Sequence, residues 1–153
     1  MFLNVQQIHT YNGYKTRIVH RILPTNSLLL KIKIKENNLC TFCQVNEETL
    51  VHLFYECCKI KPLIQYISMK ISEFNEHFEI HSLHIILGSC QKNYEIDIVF
   101  LEFKRYVFLC RNKNQIPTIE GLKNSFKLAL NIHNKTKSSE ADKDIWAIVR
   151  CIN

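Results

Sequence analysis

Cys40, Cys43, His52 and Cys57 are spaced C-x2-C-x8-H-x4-C. Three thiolates and one imidazole close a tetrahedron around Zn2+ and leave no position open, the arrangement of a structural metal and not of a catalytic one. One structural Zn2+ is therefore the expected cofactor. Cys58 is adjacent and could stand in for Cys57; the spacing admits either. On an ideal α-helix, residues five apart point about 140° from each other. A helix carrying both His52 and Cys57 must therefore end or distort near Glu56. Glu48 and Glu56, one turn to either side of His52, are placed to accept the second N–H of the imidazole. Structural zinc contributes on the order of 10–16 kcal/mol in small fingers, so the 36–60 segment, poor in core residues of its own, is expected to fold around the metal.

The remaining chemistry-bearing residues form no comparable set. Cys90, Cys110 and Cys151 read as core or terminal thiols, and His9, His20, His77, His81, His84 and His133 show no triad spacing. His77-x3-His81-x2-His84 lacks cysteine or clustered carboxylate partners. Only three aspartates occur, Asp97, Asp142 and Asp144, so a two-metal cluster for polymerase or nuclease chemistry cannot be assembled. No G-x-G-x-x-G or G-x-x-x-x-G-K-[ST] cradle is present. The expected protein is not an enzyme, and no small-molecule substrate is implied.

Charge points to a polyanionic partner. The net charge is +6, and residues 1–35 carry Lys15, Arg17, Arg21, Lys31, Lys33 and Lys35 without a single acid. The sign then reverses, with Glu36, Glu47, Glu48 and Glu56 and no base before Lys59 and Lys61. These lysines and arginines would contact RNA or DNA phosphates without reading sequence. Phe42, between the first two cysteines, could stack on an unpaired base; Tyr55 is a second candidate. No signal-peptide pattern opens the chain and no apolar run approaches membrane-spanning length, so an intracellular setting, nucleus or cytoplasm, without membrane contact is expected.

The elements that must position these residues read as helices. A chain of 153 residues with 46% hydrophobic residues can bury a core, and three glycines with three prolines argue against a many-turned β architecture. Ile18, Val19, Ile22 and Leu23 mark a helix stopped by Pro24. Thr25, Asn26 and Ser27 then cap a second, beginning near Leu28. Lys31 to Lys35 alternates with period two and admits a strand. Asn46 is expected to cap a helix running to about Glu56, with Glu47 and Glu48 in its first turn. Pro62 opens a helix with Leu63, Ile64, Ile67, Ile71 and Phe74 on one face. Residues 76–93 read as an irregular linker, with a short extended piece around His84–Leu87. Ile96, Val99, Phe103, Val107 and Cys110 predict a long helix from Tyr94 to about Asn112. Pro117, Thr118 and Glu120 start another, with Ile119, Leu122, Phe126, Ala129 and Leu130 on its apolar face. Trp146 anchors a last short helix. The fold class is mainly α: a small helical domain (14–75) with an embedded CCHC zinc knuckle, the linker, and a helical C-terminal extension (94–153) packed on it.

Three stretches carry a family resemblance. Arg21-Ile22-Leu23-Pro24-Thr25-Asn26, Leu39-Cys40-Thr41-Phe42-Cys43, and Glu48-Thr49-Leu50-Val51-His52-Leu53-Phe54-Tyr55-Glu56-Cys57 resemble the cysteine-rich C-terminal region of LINE-type retrotransposon reverse transcriptases. The run from Phe103 to Arg111, followed by Ile116-Pro117 and Trp146, is similar to the helical tail beyond that motif. The resemblance implies that Cys40, Cys43, His52 and Cys57 are the metal ligands. It also implies a non-catalytic module that helps a reverse transcriptase bind RNA or target DNA, with the polymerase domains of a parent polyprotein lying upstream. The alternative is a zinc-stabilised interaction or scaffold module using the apolar faces of residues 94–134, with no direct nucleic-acid contact.

Overall fold

In a computed structural model, residues 23–74, 78–88, 94–135 and 149 are described. They form α1 (Asn26–Lys31), a π-helical turn (His52–Glu56), α2 (Lys61–Ser72), α3 (Ser82–Leu87), α4 (Tyr94–Asn112) and α5 (Ile119–Lys135). The expected helix ahead of Pro24, with Lys15, Arg17 and Arg21, lies outside the described residues, as does Trp146. Among the described residues no helix is long and apolar enough to cross a membrane.

Local chemistry explains most boundaries. Thr25 caps α1, its hydroxyl accepting from the Leu28 N–H at 3.4 Å. The lysine-rich run after α1 is not a strand. Ile32 and Lys33 close back onto Leu28 and Leu30, and Lys33 turns left-handed with φ 59°, so the period-two pattern there never meets a partner strand. Pro62 sits in the first turn of α2, where its missing N–H costs nothing. The piece around His84–Leu87, expected to be extended, is helical instead, within α3. It ends at Gly88, whose N–H donates to the His84 carbonyl at 2.9 Å and whose φ of 97° then turns the chain out of the helix. Two of its residues, Ile85 and Ile86, pack into the core, too short a period for the sequence pattern to declare itself.

The core is one continuous cluster that crosses the expected linker. Leu63, Ile67 and Ile71 of α2 meet Ile96, Val99, Phe100, Phe103 and Val107 of α4, and Leu122 and Phe126 of α5. Phe54 of the π-turn is fully buried among them. Phe74, expected on the α2 core face, is 46% exposed because α2 has already ended at Ser72. Between α4 and α5, the buried Glu102 carboxylate accepts from the Ser125 hydroxyl at 2.6 Å and from the Arg105 guanidinium. A charged group is thereby satisfied inside a helix–helix contact.

Gly121 lies close against the Tyr106 side chain. A Cβ there would lie 2.1 Å from the Tyr106 Oη and 2.9 Å from its Cζ. That hydroxyl accepts from the Thr118 N–H at 3.1 Å and donates to the Thr118 carbonyl at 3.2 Å, tying α4 to the start of α5. Gly121→Ala is predicted to displace the ring and break both bonds, lowering stability by about 1–3 kcal/mol in urea denaturation.

Candidate metal centre

Two local structures bring the ligands together. The first is the Cys40–Cys43 loop, closed by an isolated antiparallel bridge between Leu39 and Glu47. The Cys40 N–H donates to the Asn46 carbonyl at 2.8 Å, and the Gln44 N–H returns to the Cys40 carbonyl at 2.9 Å. Gln44 takes the left-handed conformation, φ 56°, that this tight return requires. The N–H groups of Phe42 and Cys43 point at the Cys40 sulfur. Such a loop presents both sulfurs on one side.

The second is the turn that carries His52 and Cys57. It does not start at Asn46. Thr49 is the capping residue, its hydroxyl accepting from the His52 N–H at 3.0 Å and its carbonyl from the Leu53 N–H at 2.9 Å. Glu47 and Glu48 therefore precede the helix and do not occupy its first turn. From His52 to Glu56 the chain then winds as a π-helix, closed by the Cys57 N–H donating to the His52 carbonyl at 2.9 Å. An i→i+5 turn stacks residues five apart as an α-turn stacks residues four apart. The π-turn is thus the distortion that the His52–Cys57 spacing demands, and it aims both side chains at one point.

The ligand atoms of Cys40, Cys43, His52 and Cys57 all lie within 4.8 Å of one another. Cys40 and Cys57 sulfurs are 3.8 Å apart, and the Cys43 sulfur is 3.3 Å from His52 Nε2. A tetrahedron built on Zn–S of about 2.3 Å and Zn–N of about 2.0 Å has edges of roughly 3.8 Å between sulfurs and roughly 3.5 Å between sulfur and nitrogen. The four residues fit one zinc ion, and they form a zinc site that leaves no position for a reacting water. Cys40, His52 and Cys57 are buried, Cys43 is partly exposed, and Cys58 is exposed, turned away from the cluster. Cys57 is therefore the fourth ligand of this arrangement. Among the described residues no other group of three or more such side chains converges in this way.

Without metal, the two close thiols share their protons unequally. The Cys40 and Cys57 sulfurs share a hydrogen bond, and this bond, with the loop N–H groups, lowers the Cys40 thiol to about 5. The same bond, with burial, pushes Cys57 well above the ordinary thiol range. Zn2+ supplies the positive charge that lets both ionise, and the Cys57 proton must leave on binding.

Neither expected glutamate serves His52. Glu56 is exposed, and Glu48 is fully buried in a different network. Its Oε1 accepts from the Asn26 N–H at 2.9 Å and the Arg111 Nε at 3.0 Å, and its Oε2 from the Thr41 N–H at 2.7 Å. The Arg111 guanidinium also donates to Asn26 Oδ1 at 2.7 Å, as does Lys35 Nζ at 2.8 Å. The Asn26 amide in turn donates to the Leu39 carbonyl at 2.6 Å. Sequence reading missed Asn26, Glu48 and Arg111 as a set. The available signal was Arg111 itself, a cation directly following Cys110 on the apolar face of α4.

The candidate phosphate contacts fall into two groups. Lys31, Lys33, Lys59 and Lys61 are exposed around the metal loop and its exit, whereas the Lys35 ammonium is engaged by Asn26. Phe42 does not present the free ring that stacking requires. It is only 6% exposed, because the loop that aims the cysteines outward-to-metal folds the intervening ring into the core. Tyr55 is half-buried, its hydroxyl donating to the Ile80 carbonyl at 3.4 Å.

These features define a helical module stapled by a closed, structural Cys3His zinc site. Comparison with known families agrees: residues 8–63 match the family described as zinc-binding in reverse transcriptase. The matched segment contains all four ligands, Asn26 and Glu48, and stops in the first turn of α2. No curated protein and no solved structure matches the chain.

Protein purified under reducing conditions is predicted to carry one zinc per chain. His52→Ala and Cys57→Ser should each lose it, and Cys58→Ser should keep it, as read by elemental analysis. Loading metal-free protein in weak buffer should acidify the solution as Cys57 gives up its proton.

Proposed function

We propose that the chain is the non-catalytic, zinc-binding part of a LINE-type retrotransposon reverse transcriptase, and that it holds RNA or target DNA against polymerase domains supplied upstream. The observation that carries this reading is a complete zinc site inside the segment that matches the family described as zinc-binding in reverse transcriptase, bordered by exposed lysines. Lys59 and Lys61 follow the last ligand by two and four residues, so the metal fixes where their side chains leave the surface. Lys31 closes α1 and Lys33 lies in the turn after it, and the Asn26 hydrogen bond to the Leu39 carbonyl anchors α1 to the metal loop. Flexible ammonium groups on a rigid base suit phosphates of any sequence. The scarcity of aspartate is consistent with a part that binds and does not catalyse. Nuclear or cytoplasmic action belongs to the same proposal.

A docking role has its own support. Ile32 and Ile34 alternate with the lysines and are 54% and 68% exposed, and Val45 beside the metal loop is 72% exposed. Apolar side chains of this size in water suit a protein surface better than a phosphate backbone.

A salt series separates the two readings. Binding to single-stranded RNA and to duplex DNA, followed by fluorescence anisotropy, should weaken linearly in log K against log salt between about 50 and about 200 mM. Lys31→Glu, Lys59→Glu and Lys61→Glu combined should cost at least about tenfold and reduce the slope by roughly three, with zinc content unchanged. Lys35 is left intact because it holds Asn26. Absence of binding, or affinity indifferent to salt and to these charges, contradicts nucleic-acid contact and favours docking.

A further inference from the structure

The buried Asn26–Glu48–Arg111 network joins parts of the chain that lie far apart in sequence. Glu48 and Arg111 are 63 residues apart in sequence, and Arg111 and Asn26 are 85 apart. Glu48 is completely buried and Arg111 is 9% exposed. An ionised carboxylate without water needs hydrogen-bond donors on both oxygens, and here Asn26, Thr41 and Arg111 supply them. Two of those contacts matter to the metal. Thr41 directly follows the ligand Cys40, so its N–H bond to Glu48 fixes the backbone of the cysteine loop. Asn26, oriented by Arg111, holds the Leu39 carbonyl on the other side of the same ligand.

We infer that Arg111 is a positioning residue for the zinc site, and that metal binding and docking of the C-terminal half of α4 are one linked equilibrium. Removing Arg111 leaves Glu48 as a buried anion that must draw in water. Its hold on Thr41 loosens, and the Cys40 and Cys43 sulfurs lose their fixed separation. The converse follows from reciprocity of coupled equilibria: a metal-free loop that moves takes Glu48 from Arg111 and releases the end of α4. The middle of α4 has a separate anchor in the hydrogen bonds among Glu102, Arg105 and Ser125. The coupling is therefore local to the Arg111 end. It also means that the segment matching the zinc-binding family is completed by a residue well outside that match.

The 153-residue chain tests this with two measurements. In the first, zinc affinity is read by competition with a chromogenic chelator. Arg111→Met should weaken it at least tenfold with helical content retained. Arg111→Lys should fall between, since a single ammonium cannot bridge Glu48 and Asn26 as the guanidinium fork does. Combining Glu48→Gln with Arg111→Met should cost no more than the worse single change, because the buried charge has been removed with its partner. In the second, hydrogen exchange of the wild-type chain is compared with and without zinc. Amides of residues 107–112 should lose protection on chelation, while those of 119–129 keep theirs. Unchanged zinc affinity in Arg111→Met overturns the inference. So does protection at 107–112 that ignores the metal, or that is lost equally across α4 and α5. If Arg111→Met does not fold, the wild-type exchange comparison decides alone.

Discussion

The structure depends on one geometric demand: two sulfurs from a loop, and a nitrogen and a sulfur from a turn, must meet within 4.8 Å. Nothing in the local backbone preferences of the chain favours this. Gln44 adopts a left-handed conformation without being glycine, and five residues wind as a π-helix, a form rarely seen in isolation. Each departure makes sense only as part of a metal site. An α-turn over the same residues would carry Cys57 away from His52, and an extended loop would separate Cys40 from Cys43. A bound Zn2+ offsets both costs many times over, since its contribution in small folds is about as large as the net stability of a whole domain.

Around that site the chain is built in the order polar, then apolar. The side of α1 that faces inward is polar: Asn26 and Ser27 are its buried residues, and the Ser27 hydroxyl donates to Glu47. That bond holds the Glu47 carboxyl below its usual range. Behind this polar layer the aromatic and branched residues of α2, α4 and α5 form the hydrophobic core, with Phe54 of the π-turn inserted into it. The metal loop is thus fastened to the helical body by hydrogen bonds on one side and by ring packing on the other. The loop supplies few apolar contacts of its own, which is why a cross-link and a buried ion pair occur at the same boundary.

The ligands, the long helix α4 and the start of α5 were legible in the residues, because each depends on short-range rules. Cysteine spacing fixes a knuckle, and a stripe from Ile96 to Cys110 fixes a helix face. Even the distortion near Glu56 followed from counting residues between His52 and Cys57, although its form as a π-turn did not. What misled was a local signal overruled by a distant partner. Asn46 and Glu48 look like a helix start, but the Asn46 carbonyl accepts from the Cys40 N–H and the Glu48 carboxylate is taken up by Asn26, Thr41 and Arg111. The alternating lysines after α1 look like a strand, yet no neighbouring strand exists among the described residues to pair with them. Phe42, between two cysteines, could have stacked on a base only with its ring exposed, and its ring packs into the core below.

The most direct test of the zinc site is X-ray absorption at the zinc edge of the 153-residue chain, purified in reductant and loaded with one equivalent of metal. Three sulfurs at about 2.3 Å and one nitrogen at about 2.0–2.1 Å are the predicted shell. A shell dominated by light atoms, or with fewer than three sulfurs, would contradict the convergence of Cys40, Cys43, His52 and Cys57 on a single ion.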